Sequence, residues 1–414
     1  MSARKAPARR PAAKKPVAKP AAKPRTAGAK RGATPAAPAR PAPARLGAEP
    51  ISARALGRAT LARQMLLARE RVAPAKAIER LAGLQAQQAR PPFVGLWTRL
   101  EGFQREHLAR AIADRSVVRA TAMRGTLHLL SARDYLRLRA PLQPGLTAGL
   151  RALLRQRMDG LDIPAAMREG RAFFGEAPRP FDDFRERLEA RFPRGDVRAL
   201  AYAVRLHLPL VQVPDDSEWG FPAAASFALA DRWLGRPIAA SEDPSELVLR
   251  CLAAFGPASA ADAQSWSGVP ALAEVFDRLR GKLRAYRDEK RRELFDLPEA
   301  PRPDENALAP VRFVPEFDNL VLAWTDRSRI MTDAQRKVVV TRNLQVLATV
   351  LVDGVVAATW TIERAKGAAT LQVTPFAPLA GTVRDALEAE GEKLLAFAAP
   401  DADRRELRIA PRRG

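Results

Sequence analysis

Residues 106–132, EHLARAIADRSVVRATAMRGTLHLLSA, change period midway. The first half spaces apolar residues three and four apart, which predicts a helix through EHLARAIADRSVVRA. The second, around Thr126, Leu127, His128 and Leu129, is β-rich. Downstream, DYLRLRAPL (134–142) restarts the helical spacing. Upstream, LARQMLLARERV (61–72) and PAKAIERLAGLQAQ (74–87) show it twice more. Three helices followed by a short strand pair is the layout of a winged helix-turn-helix, which is expected over 49–150.

The same layout recurs outward. In 151–240, FDDFRERLEARF and DVRALAYAVRLHL predict helices, and PLVQVP with SEWGFPAAASFALA predicts strand, turn and strand. In 241–309, DPSELVLRCLAAFGPASAADAQSWSG predicts helix, turn and helix, with Ser259 as a cap. There VFDRLRGKLRAYRDEKRRELFDLP reads as a basic helix and a closing strand. From 310 to 414 the chain turns rich in Val, Thr and aromatics with period two, as in VRFVPEFDNLVLAW and RKVVVTRNLQVLATVLVDGVVAATWTIER. Asp353-Gly354 marks a hairpin turn, and VRDALEAEGEKLLAFA is a helix to cover one side of the sheet. The expected fold class is α+β: tandem winged-helix modules, then a β-barrel-like C-terminal domain.

Residues 1–48 are almost wholly Ala, Pro, Lys and Arg, too poor in large apolar side chains to fold, and predict a disordered basic tail. Of 69 Lys and Arg in the 414 residues, 13 lie in 1–45, where no acidic residue occurs; the whole chain carries +23. Such a surplus attracts polyanions through counterion release, so double-stranded DNA is the expected partner, with biased composition as the bland alternative. No run approaches the roughly 20 apolar residues that span a bilayer. A cytoplasmic, nucleoid-associated location is expected, without membrane contact. One cysteine, Cys251, excludes an intrachain disulfide, and the three histidines (His107, His128, His207) are scattered, so neither metal nor cofactor is expected.

Among single residues, Gln85, Gln87 and Gln88 read as the C-terminus of a helix before Pro91-Pro92, where polar side chains commonly satisfy terminal carbonyls. His128 either faces DNA or is packed in the core. Arg124 is either a phosphate contact or a solvated strand-end cation. Lys282, Arg284, Arg287, Lys290 and Arg291 either line a DNA-binding concavity or form the solvated face of a helix. In PEFDN (315–319), Asp318 and Asn319 suit turn backbone, and Asp326 beside Arg327 suits a loop.

Several runs together resemble the winged-helix DNA glycosylases of the AlkZ/YcaQ type: LQAQ (84–87), GLWTRL (95–100), MRGTLHL (123–129), GPASAADAQSWSG (256–268), PEFDNLVLAWTDRSRI (315–330) and VDGVVAATW (352–360). The resemblance spans about residues 50–400. It implies tandem winged helices around a β-barrel, DNA in a basic concavity, excision of alkylated bases and, in some members, unhooking of interstrand crosslinks. It further implies a catalytic motif of glutamine, an aliphatic residue, then glutamine or aspartate, here Gln85, Ala86 and Gln87. Gln88 offers a second register. A base alkylated on a ring nitrogen is already cationic and leaves without protonation, so amides that orient water suffice, whereas an aspartate would also take up the proton. With no evidently activated lysine, a monofunctional, monomeric enzyme is expected. The rival reading is a non-catalytic winged-helix DNA binder, a regulator or nucleoid protein.

Overall fold

Val117–Thr121 and Leu127–Ser131 are antiparallel strands at the heart of a six-stranded sheet. The order across it is Leu84–Gln85, Leu127–Ser131, Val117–Thr121, Leu210–Gln212, Ser226–Leu229 and Arg179–Pro180, all neighbours antiparallel. Strands from 49–150 and 151–240 thus share one ladder, with Arg119 opposite Gln212 and Ala120 opposite Val211. Ser131 closes its strand and caps the helix Ala132–Leu154, its side chain accepting from the Asp134 amide.

The computed structural model describes residues 48–222 and 224–410, so the expected basic tail falls, except for Ala48, outside the described residues. The described chain is a mixed α/β unit with two further sheets. One holds Arg312–Val314, Thr349–Val352, Val355–Ala365, Ala368–Pro375 and Arg404–Ile409. It is antiparallel except at its last pair, which runs parallel because the helix Gly381–Ala398 crosses over between those strands. The Asp353-Gly354 hairpin turn lies where the sequence places it. Leu387, Leu394 and Leu395 of the crossing helix pack in one cluster with Phe313, Val350, Trp360 and Leu371. The third sheet is Glu49–Ile51, Arg284–Asp288 and Glu293–Asp296.

A single buried cluster draws Leu61, Val118, Leu138, Val248, Trp266, Phe276, Trp324 and Val356 from all along the sequence. Trp97, Trp266 and Trp360 are buried, in keeping with their apolar contexts. Two ion pairs sit inside this packing: Arg63 with Asp296, and Arg99 with Asp318, each made through two hydrogen bonds of 2.8–2.9 Å. Removing Arg99 or Asp318 costs roughly 3–5 kcal/mol, because the other charge stays buried without its ion partner; Asp296 is also held by Arg302, at 2.7 Å.

The structure corrects several expectations. The helix expected over 61–72 stops at Arg63, where Met65 soon takes positive φ, and NLVL of the period-two run 311–324 is the short helix Asn319–Leu322. The helix of the 74–87 run stops at Arg80, because Ala82 and Gly83 take positive φ and the Gly83 amide closes back on the Ile78 carbonyl at 2.9 Å; Leu84–Gln85 is therefore a strand, not a helix end. EHLARAIADRSVVRA is helical only to Ala113, since the β-branched Val117 and Val118 continue as strand. The basic helix expected in 275–298 ends at Leu279; Arg284–Asp288 and Glu293–Asp296 form a hairpin that buries Tyr286, Leu294 and Phe295. Lys282, Arg284, Arg287, Lys290 and Arg291 thus lie on a strand and its turns. Finally, RKVV (336–339) belongs to the helix Asp333–Val339, started by a Thr332–Gln335 capping box that outweighs the β propensity of the valines.

Candidate active site

Gln85 is the last residue of an edge strand, with His128 opposite it on the neighbouring strand. The ladder runs one bond further, from the Ala86 amide to the Leu127 carbonyl at 2.7 Å, and then releases the chain. Ala86 is buried and Gln87 is exposed. The small middle residue lets the motif turn from core to surface within one step.

Gln85 is 8% exposed, and its Oε1 accepts from Arg124 Nη2 at 2.8 Å. Because a guanidinium only donates, this bond fixes the amide orientation: the carbonyl is engaged, and the NH2 faces away without a protein acceptor among the described residues. Arg124 is held in turn by the Trp266 carbonyl. Burial, and then the charge of Arg327, lowers the Arg124 guanidinium to about 10. Arg124 therefore stands behind Gln85, neither a solvated cation nor freely exposed.

His128 is buried, which places it in the core rather than on an open DNA-facing surface. Its Nδ1 lies 3.0 Å from the Thr126 carbonyl, an acceptor only, so Nδ1 carries the proton. Burial first, and then Arg124, pushes its pKa down to about 3, and the ring is neutral.

The backbone around Gln85–Gln87 is pinned from several sides. Arg119, inside the strand Val117–Thr121, donates through Nε to the Ala86 carbonyl at 2.9 Å and through Nη2 to the Gln87 carbonyl at 3.1 Å. Asn319 Nδ2 donates to the carbonyls of Leu81 and Gly83 just before the strand. Glu316 binds Arg90 just after it, at 2.7 Å. Asp318 is tied to Arg99 and caps the short helix Asn319–Leu322. The PEFDN run therefore brackets the glutamines. Its carboxylates are structural, as is Asp326, which pairs with Lys290 and Arg292.

Gln87 opens onto a cleft of about 490 Å³ whose walls include Arg119, Asp182, Arg205, Gln212 and Phe221. Of the residues that line it, sequence reasoning singled out Gln87 and Gln88. A signal existed for Arg119, a lone cation inside the apolar strand VVRAT; Arg205 and Gln212 reach the cleft through pairing and packing that no local pattern reports. The structure brings Gln85, Gln87, Arg124 and His128 together. It places Lys282, Arg284, Arg287, Lys290 and Arg291 in the separate hairpin, where Arg284 is paired with Glu49 and Lys290 with Asp326.

No group of His, Cys, Asp and Glu able to hold a metal occurs among the described residues, and none of their helices is long and apolar enough to cross a membrane. The family model described as DNA glycosylase AlkZ-like matches residues 78–397, which contain the whole constellation around Gln85 and Gln87. Among solved structures, Streptomyces sahachiroi DNA glycosylase AlkZ is similar in fold, with a TM-score of 0.71 and 22% identity over 87% of this chain and 100% of that one. No curated protein matches the chain.

Proposed function

The chain belongs to the AlkZ-like DNA glycosylase family, and from that premise we propose that it hydrolyses the N-glycosidic bond of cationic, alkylated bases in duplex DNA, with Gln85 and Gln87 in the site. The observation that carries the assignment is the division of labour between the two amides. Arg124 engages the Gln85 side-chain carbonyl and leaves its NH2 as a donor, while Gln87, exposed two residues beyond the strand, lines the cleft with a side-chain carbonyl that no donor engages among the described residues. Gln87 accepts a hydrogen bond from the attacking water, and the Gln85 NH2 holds the oxygen of that water or a neighbouring DNA oxygen. Water adds to the anomeric carbon as the C–N bond breaks, the bonding pair neutralises the cationic base, and the water's second proton passes to solvent. An amide is no effective general base, so this chemistry suits leaving groups activated by their own charge.

Three winged-helix modules (49–150, 151–240 and 241–309) and a barrel-like part (310–414) are the proposed frame that grips DNA, with Lys282, Arg284, Arg287, Lys290 and Arg291 as candidate backbone contacts. A monomer at work on the nucleoid in the cytoplasm fits this role. Exposure of Gln87 just beyond the edge strand suits lesions too bulky or tethered to be swallowed whole, and interstrand crosslinks are such lesions.

The test is release of free 7-methylguanine from methylated duplex DNA. The expected outcome is release by the wild type, a loss of roughly 10²-fold or more in Gln85→Ala, Gln87→Ala, and DNA affinity within about twofold of wild type. If the wild type releases nothing from this duplex or from a nitrogen-mustard crosslinked one, the protein is a non-catalytic DNA binder.

A further inference from the structure

The cleft beside Gln87 is walled by two guanidiniums that no carboxylate answers among the described residues. Arg119 spends its Nε and Nη2 on the Ala86 and Gln87 carbonyls and lies over the Phe221 ring at 5.2 Å. Arg205, on the helix Val197–His207, has no hydrogen bond or ion pair among the described residues and lies 5.7 Å from the Phe227 ring. Burial, and then the charge of Arg205, lowers Arg119 to about 10; Arg205 is lowered chiefly by burial. Asp182 also lines the cleft, but its carboxylate is turned to Arg185. Gln212, opposite Arg119 across the strand pair, is 8% exposed and carries a buried Oε1 with no donor among the described residues.

Two cations without a carboxylate partner and one unpaired acceptor all cost free energy. A ligand relieves all three if it brings an anion and an N–H donor together, and a nucleotide does so with its phosphate and the exocyclic amine of adenine, cytosine or guanine. The cationic lesion base has the wrong sign for this cleft. We propose that the cleft lined by Arg119, Arg205 and Gln212 holds the nucleotide adjacent to the lesion, its phosphodiester on the two guanidiniums and its base amine on Gln212 Oε1. The proposal rests on Gln87 being the water-orienting residue, and it makes the cleft a registering subsite that brings the damaged sugar to Gln87. Thymine, which has no amine, is the disfavoured neighbour.

The test uses the full chain and duplexes with one 7-methylguanine on a 2′-fluoroarabino sugar, which resists hydrolysis, and an uncharged methylphosphonate placed at each nearby phosphate in turn. The expected result is one position at which methylphosphonate weakens wild-type binding about tenfold. Arg205→Gln weakens it similarly and lowers the salt slope by about one, and the two changes together cost no more than either alone. Gln212→Leu abolishes the handicap of a neighbouring thymine. Arg205→Lys, which keeps the charge, retains most of the salt slope and guards against a folding artefact. Additive losses at every position, or unchanged binding by Arg205→Gln, overturn the proposal. So does a site where inorganic phosphate protects against thermal unfolding through Arg205 while no methylphosphonate matters, because that is a free-anion site. Binding is read without chemistry, so a wild type that releases no 7-methylguanine from ordinary duplex refutes the glycosylase reading separately.

Discussion

His128 couples the site to folding through its protonation. Its folded pKa, about 3, lies below the ordinary value of 6.5, so between these two values the unfolded chain binds a proton that the folded chain refuses. The contribution of the neutral ring is present above pH 6.5 and is lost as the pH falls toward 3. Asp134 acts in the opposite direction: burial raises its carboxyl to about 6, so its ionisation lowers stability as the pH rises from about 4 to 6. His128→Leu is expected to flatten the fall in melting temperature between pH 7 and 5, which calorimetry across that range checks. Because the ring stays neutral, the base-release rate is expected to show no inflection near 6.5. Neither value is legible in the run RGTLHLLSARD (124–134). Alternation says that His128 points to one face of a strand, while the burial of that face and the nearness of Arg124 are set by residues far along the chain.

At the scale of elements, the PEFDN segment is a brace for the strand that carries Gln85. Asn319→Leu removes the donor to the Leu81 and Gly83 carbonyls, and is expected to lower the single-turnover release rate about tenfold with DNA affinity little changed; a merely destabilising change would lower the amount of folded protein, not the rate per folded molecule. Asn319→Asp, which sets a carboxylate against those carbonyls, is expected to be worse. The hairpin at Asp353-Gly354 makes a second case. Gly354 has φ +77° and packs against Leu61 and Arg58, while Arg54 and Arg58 bind Asp353. Gly354→Ala is expected to cost about 1–3 kcal/mol in denaturant unfolding, through the backbone conformation and the crowding together. The Asp-Gly signal predicted this turn, and a positive-φ stop at Gly83 was equally readable. What misled the reading of Gln85 was helical spacing that continued past the glycine, and what misled the reading of Lys282 to Arg291 was the density of charge, which hides a two-residue period.

Across the whole molecule, the basic surplus of residues 1–45 is the feature most independent of the fold. Deleting residues 1–48 is expected to weaken DNA binding and to flatten the dependence of log K on log salt; an unchanged slope in a fluorescence titration would remove the tail from the DNA-binding surface. The expected polyanion partner and the mixed helix and sheet composition are properties of charge count and local period, and the sequence by itself determined them; the glutamine motif came through the family resemblance of several short runs. The cleft is a different kind of property. Arg119, Arg205 and Gln212 meet because the strand Val117–Thr121 pairs with Leu210–Gln212 and the helix Val197–His207 comes to line the same hollow. Likewise Arg124, Trp266 and Asn319 reach the glutamines only through the common core. Only the tertiary structure decided which carbonyl is engaged and which cations stand without a partner, because hydrogen bonds and desolvation depend on distances between residues that the sequence holds far apart.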